Sequence, residues 1–239
     1  MSRSARRGAI LEEMGLGPVW RSKGTGDVAA SPVPPPAPGT TDAPGSREER
    51  IAAMGWPELK TAVHDCTACP LHKTRKQTVF GVGDESADWL LVGEAPGADE
   101  DRVGEPFVGQ AGKLLDNMLA AIRLRRGENV YIANVLKCRP PANRNPESGE
   151  MARCSPHLIR QIELIRPKLI VAMGRFAAQA LLASDATIAS LRGRVHRYHG
   201  VPLIVTYHPA YLLRSLPDKS KAWADLTFAV RTLRGLKGG

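Results

Sequence analysis

Four apolar runs mark this chain: Trp89 to Val92, Val130 to Ala133, Leu169 to Met173 and Leu203 to Thr206. Runs this short, without polar alternation and separated by longer amphipathic stretches, predict buried parallel strands joined by helical crossovers. Each gives way to small or polar residues, namely Gly93-Glu94-Ala95-Pro96-Gly97, Asn134, Gly174 and His208-Pro209. Sheets of this kind take ligands beyond the carboxyl ends of their strands. Glu94, Asn134 and His208 are therefore expected to meet at one site.

Between the runs, residues 111–123 place Leu114, Leu115, Met118, Leu119 and Ile122 on one helical face, and residues 155–165, 175–183 and 222–236 predict further helices. Ser46-Arg47-Glu48-Glu49 is a capping-box opening to a helix through about Met54. A short helical stretch then carries Leu59 and Val63 towards Cys66. Residues 93–101 read as a tight loop, residues 137–154 as a long one, and the weak alternation of Arg192 to Gly200 as a hairpin. Residues 24–46 hold six prolines and almost no bulky apolar side chain, so they cannot repay the entropy of folding. The chain thus divides into a flexible, Pro-rich extension, 1–46, and a folded domain, 47–239. Within the extension, Ile10 to Trp20 reads as a frayed tail or as a short amphipathic helix.

Composition sharpens this picture. The formal charge is +9, from 33 Lys and Arg against 24 Asp and Glu, and residues 1–50 hold only seven basic against six acidic side chains. The excess sits in the folded part and suits a polyanion such as nucleic acid. No apolar stretch approaches the ~20 residues of a membrane span. Glu12 and Glu13 interrupt what would be the apolar core of a signal peptide after Arg3, Arg6 and Arg7, so a cytoplasmic protein without membrane contact is expected.

The four cysteines are then better metal ligands than disulfide partners. Cys66 and Cys69 form a C-x2-C pair, whereas Cys138 and Cys154 have fifteen residues between them. A structural zinc, an iron-sulfur cluster, a mixed site with His72 or His157, and four free thiols all fit that spacing. Asp99, Glu100 and Asp101 invite comparison with a Mg²⁺-dependent nuclease, or with a solvated loop. Phe107 lies on a glycine-flanked loop rather than at a periodic core position, where its ring could stack on a ligand or simply pack. Arg139, Arg144 and Arg153 on the 137–154 loop offer a surface for phosphates.

The motifs CTAC at 66–69, GEAPGADED at 93–101, GEPFVGQAG at 104–112, NVLKCRPPANRNP at 134–146, Cys154 and HPAYLLR at 208–214 resemble those of the family 4 uracil-DNA glycosylases, in order and over roughly residues 50–236. These are the iron-sulfur branch of the uracil-DNA glycosylase superfamily. The resemblance implies a three-layer α/β/α fold with a four-stranded parallel central sheet. It implies a [4Fe-4S] cluster on Cys66, Cys69, Cys138 and Cys154, and a monomer acting on uracil-containing DNA, single- or double-stranded.

The same resemblance assigns roles. Phe107 stacks on uracil, Asn134 pairs with its N3-H and O4, and Glu100 beside C5 refuses the methyl group of thymine. His208 donates to O2 as charge develops on the leaving base. Glu94, with the backbone of Ala95 and Gly97, shapes the pocket and holds water. Tyr211-Leu212-Leu213-Arg214 looks like a wedge that fills the vacated stack, with Arg214 on phosphate. Other branches carry Asp or Asn where Ala95 stands, so the water falls to Glu94. No lysine stands out as an imine-forming nucleophile, which implies a monofunctional enzyme leaving an abasic site. The absence of histidine from residues 137–154 sets the chain apart from the branch that traps uracil-DNA covalently. Two other classes compete with this reading: a catalytically inactive iron-sulfur module that only binds nucleic acid, and the Mg²⁺-dependent nuclease.

Overall fold

The computed structural model describes residues 45–237. The extension expected over 1–46, including the Ile10 to Trp20 segment, lies outside the described residues apart from Gly45 and Ser46. The first helix, α1 (Arg47–Ala53), opens on the expected capping box, in which the Glu49 amide donates to Ser46 Oγ at 3.2 Å and the Ser46 amide donates to Glu49 Oε2 at 2.6 Å. Next comes α2 (Trp56–His64), with Pro57 in its first turn and Leu59 and Val63 buried.

Four strands coincide with the apolar runs: β2 (Trp89–Gly93), β3 (Val130–Asn134), β4 (Leu169–Met173) and β6 (Val201–Thr206). Two more, β1 (Val82–Gly83) and β5 (His196–Tyr198), extend the sheet to six strands in the order β1-β3-β2-β4-β6-β5. The inner four run parallel, whereas β1 lies antiparallel to β3 and β5 antiparallel to β6. The sheet is therefore mixed and six-stranded, which corrects the four-stranded expectation. Of the edge strands, β1 has only two residues, too few to display an alternation in the sequence. The hairpin expected near residues 192–200 is made by β5 and β6, and it turns at His199 and Gly200, both at positive φ (46° and 86°).

Alternate side chains of the inner strands feed two cores. Leu90, Val92, Tyr131, Ile170 and Val205 pack with Leu158, Ile162 and Ile165 of α5 (Ser148–Ile165), with Ala177, Ala178 and Leu181 of α6 (Arg175–Leu182) and with Leu191 of the short α7 (Ile188–Leu191). On the other face Trp89, Leu91, Ile132, Val171 and Ile204 meet Leu115 and Leu119 of α4 (Gln110–Ala121) and Ala229 and Leu233 of α9 (Lys219–Lys237). Burial of these apolar surfaces on both faces is the main force holding the sheet.

Two expected loops are partly helical. Residues 98–103 form α3 (Ala98–Val103), because the Glu100 carboxylate caps the helix by accepting from the Gly97 amide at 3.0 Å. The loop expected to run to Cys154 ends at Ser148, where the Glu150 carboxylate accepts from the Glu147 amide at 3.0 Å and starts α5. Pro156 lies inside α5. A proline commonly occupies the first helical position, so the sequence pattern placed the start of this helix too late.

From β2 the chain crosses to β3 on one side and later to β4 on the other. The strand order reverses at this point, and the carboxyl ends there open onto a crevice.

Candidate active site

A cleft of about 720 Å³ occupies that crevice. Glu94, Ala95, Gly97, Glu100, Phe107, Asn134 and His208, all expected at the site, line it together. They come from several strand ends and the loops that follow them. Gly93 and Glu94 leave β2, Asn134 ends β3, Gly174 follows β4 and His208 follows β6. Tyr207, Arg175 and Phe176 also line the cleft.

Phe107 is held tightly. Its backbone is left-handed (φ 57°) and its side chain only 6% exposed, a conformation that costs roughly 1–3 kcal/mol for a bulky residue. Two glycines permit this placement. A Cβ on Gly93 would lie 2.6 Å from Phe107 Cζ and overlap Asn134 Oδ1, and a Cβ on Gly112 would overlap the Phe107 carbonyl. From the other side Glu100 Oε1 accepts from the amides of Val108 (3.0 Å) and Gly109 (3.2 Å). Glu100 thus ties the β2 loop to the Phe107 loop while facing the cleft.

The Phe107 ring and the His208 imidazole stack at 5.4 Å between centroids, with 30° between planes. A flat base between two rings needs ~7 Å, twice the contact distance. A ligand seated on Phe107 therefore meets the imidazole at its edge. His208 Nδ1 accepts from the Ala210 amide at 3.2 Å. That bond places the ring proton on Nε2, the only other ring nitrogen. Burial lowers the His208 pKa to about 4 and the nearby Arg214 charge assists, while Glu100 opposes. At neutral pH the ring is an uncharged donor.

Asn134 is 2% exposed, and its Oδ1 is buried with no hydrogen-bond partner among the described residues. An unpaired buried acceptor costs about 1–3 kcal/mol, which a ligand N–H would recover. Burial also raises the Glu94 pKa to about 6, partly offset by Arg175. The Glu94 carboxyl therefore titrates close to neutrality.

The rim departs from expectation at one position. Tyr211, Leu213 and Arg214 are exposed, but Leu212 is only 1% exposed. The short helix α8 (Pro209–Leu212) turns Pro209 and Leu212 inward together, which removes Leu212 from the surface. The Tyr211 hydroxyl donates to Asp218 Oδ2 at 2.6 Å, and its ring stacks on Tyr207 at 5.1 Å. Arg144 lines the cleft while gripping the buried Glu150 carboxylate at 2.9 and 2.5 Å. Arg139 donates to Asn143 Oδ1 at 2.7 Å.

The acidic triplet disperses over α3. Asp101 is buried and accepts from the Lys76 amide at 2.9 Å, Asp99 faces Arg102 at 3.4 Å, and Glu100 clasps the loops. Successive helix positions point ~100° apart, so these carboxylates do not converge as a nuclease would require.

The cysteines do gather. Cys69, Cys138 and Cys154 pack around Leu71 and Leu136, and Cys66 lies within electrostatic reach of the other three. N–H donors aim at their sulfurs: Arg75 at Cys138 (3.1 Å), the Lys137 amide at Cys154 (3.2 Å) and Arg47 at Cys66 (3.8 Å). Burial raises the thiol pKa values of Cys69, Cys138 and Cys154, the last to about 12. Among the described residues no group of three or more His, Cys, Asp or Glu side chains is set to hold a metal ion. His157 Nε2 is bonded to Arg47 (3.0 Å) and His72 Nδ1 to the Cys69 carbonyl (2.7 Å). A donor set of thiols, each with N–H support, fits a sulfur-ligated iron cluster better than a mixed zinc site.

Several contributors were invisible in the sequence. Gly93 and Gly112 act by lacking a side chain. The wholly buried Lys137 donates to the Asn134 carbonyl at 2.9 Å and to Gln161 Oε1 at 2.6 Å. Thr206, at the end of β6, donates to Asp225 at 2.8 Å, and Asp225 is held by Arg192 at 2.6 and 2.9 Å. No local pattern signals such partners across the fold.

Comparison with known proteins places these features in a family. The profile of the Uracil DNA glycosylase superfamily matches residues 80–227. A Type-4 uracil-DNA glycosylase of Archaeoglobus fulgidus is 52% identical over 164 residues, covering 65% of this chain and 82% of that protein. Type-4 enzymes of Pyrobaculum aerophilum (44% identical; 72% of this chain, 92% of the relative) and Thermotoga maritima (46%; 64% and 80%) are also similar.

The Gly112→Ala substitution tests the cradle. The added methyl should displace the Phe107 backbone and lower stability by about 3 kcal/mol, measured as a fall in the urea unfolding midpoint. A midpoint within error of wild type would mean that the loop yields freely.

Proposed function

We propose a uracil-excising function from one premise: the chain belongs to the Uracil DNA glycosylase superfamily. It is a hydrolase of DNA repair that extrudes uracil from single- or double-stranded DNA, cleaves its N-glycosidic bond and leaves an abasic site, acting as a cytoplasmic monomer. The observation that carries the reading is Asn134, whose buried Oδ1 lacks a partner among the described residues and lies beside Phe107 in the cleft. Uracil N3-H would satisfy that oxygen, and the amide nitrogen would donate to O4. Cytosine has neither the N3 proton nor an acceptor at position 4, so it would leave the amide unmatched.

Phe107 takes the face of the base. Glu100 stands beside C5, where a thymine methyl would collide with a carboxylate that already clasps two loops. As the bond from C1′ to N1 breaks, its electron pair moves onto the base and O2 becomes more negative. The Nε2 proton of His208 meets that charge as a preformed hydrogen bond. A neutral donor retains its proton throughout. Water adds to the cationic sugar at C1′, and Glu94, held near the backbone of Ala95 and Gly97, accepts the proton. Exposed Leu213 enters the gap in the stack, flanked by Tyr211, while Arg214, Arg139 and Arg144 meet phosphates.

Cys66, Cys69, Cys138 and Cys154 would hold a [4Fe-4S] cluster. When bound it supplies a tie between the segment ahead of the sheet and the chain after β3. Iron and sulfide assays on purified protein should find about four of each per chain. Zinc in place of iron would refute the assignment.

Among the described residues no helix is long and apolar enough to cross a membrane. The basic balance of the domain supports a nucleic-acid substrate. Against the inactive-module reading, turnover decides. Free uracil should be released from uracil-containing DNA, and His208→Ala or Asn134→Ala should lower that rate by roughly a hundredfold or more. Asn134→Asp should lose the preference for uracil over cytosine, because a carboxylate cannot donate to O4. Binding without release would leave only the module.

The rate should fall as pH drops through about 6, where Glu94 gains a proton. His208, with a pKa of about 4, stays neutral over that range. Glu94→Gln should show a low rate with no such acid limb. An unshifted limb in that variant would remove Glu94 from the role of base.

A further inference from the structure

We infer that Arg126 is a positioning residue for base recognition: its guanidinium locks the Pro106–Phe107 backbone in the conformation that presents the Phe107 ring to the cleft. The inference rests on the reading above that a base stacks on that ring. Arg126 is not among the residues lining the cleft. It follows α4, nineteen positions from Phe107. Its Nη1 donates to the Pro106 carbonyl at 2.8 Å and its Nη2 to the Phe107 carbonyl at 2.9 Å. Nε and Nη2 also donate to Asp116 Oδ1 on α4, at 3.1 and 3.0 Å. The Arg126 side chain is 22% exposed and that of Asp116 50%, so this clip is largely shielded on its loop side.

These contacts hold four consecutive residues of the loop by their backbone. Glu100 takes the amides of Val108 and Gly109, and Arg126 takes the carbonyls of the two residues before them. Phe107, at φ 57°, is under strain that would relax if either partner let go. Gly112 lets its helix approach the Phe107 carbonyl, while Asp116 of the same helix orients the guanidinium. A planar fork suits two neighbouring carbonyls and a carboxylate at once, whereas a lysine ammonium has no such fixed geometry. Arg125, next in sequence, pairs instead with Glu128 at the surface, its side chain 74% exposed. It provides an internal control.

The experiment compares Arg126→Ala, Arg126→Gln, Arg126→Lys and Arg125→Ala in the whole chain, alone and combined with Phe107→Ala. Uracil release from an oligonucleotide is resolved into kcat and KM, and amide hydrogen exchange is followed at residues 107–109. Arg126→Ala and Arg126→Gln should speed exchange in that loop and lower kcat/KM by roughly ten- to a hundredfold. Most of the loss should appear in KM, because grip on the base is shared by ground and transition states. Arg126→Lys should remain impaired and Arg125→Ala should match wild type. With Phe107 already removed, Arg126→Ala should cost nothing further.

A wild-type KM together with unchanged loop exchange in Arg126→Ala would overturn the inference. So would a loss that multiplies in full with that of Phe107→Ala. If the unaltered protein released no uracil, the functional reading would fail on its own. The exchange measurement would then still decide whether Arg126 holds the loop.

Discussion

Gly93 ends β2 without a side chain, and the space a Cβ would fill is shared by the tip of the Phe107 ring and the carboxamide of Asn134. This close approach joins three stretches of chain into one surface. The aromatic wall comes from a loop after α3, the amide from the end of β3, and the bare Cα between them from the neighbouring strand. A methyl group there would separate the aromatic ring from the amide proposed to read the base edge. The parallel register of β2 and β3, which pairs Gly93 with Asn134, delivers both to the same level of the sheet.

Around that contact the electrostatics run in one direction. Desolvation keeps His208 uncharged and holds Glu94 close to neutrality. An imidazolium would tend to surrender its proton to a leaving base. A neutral imidazole, fixed by the Ala210 amide, offers a hydrogen bond and keeps the proton. The geometry of the cleft and the charge states of its side chains thus share one cause, the burial of both groups.

The sequence carried the inner strands closely, because unbroken apolar runs have few alternative placements in a fold of this size. It also carried the convergence of Glu94, Asn134 and His208, which follows from strand polarity alone. The edge strand β1 escaped because two residues show no periodicity, whereas β5 showed itself only as a weak alternation. Helix α3 escaped because a Gly-Pro-rich opening reads as a loop until Glu100 is seen capping it. Leu212 could not be told from its exposed neighbours, since the inward face of a single helical turn depends on what it packs against. Gly93, Gly112, Lys137 and Arg126 escaped for another reason. Their contributions are a missing atom, or hydrogen bonds to chain far away in sequence, and neither leaves a local signature.

From Asn134 to Cys138 every residue is buried, and Lys137 anchors this run to Gln161 and back to the Asn134 carbonyl. The amide proposed to read the base and one of the gathered thiols are therefore joined by a short, wholly buried segment. An insertion within it would rotate one end against the other and break the buried ammonium contacts. The distance between them is consequently set by the packing of this buried segment rather than by either end.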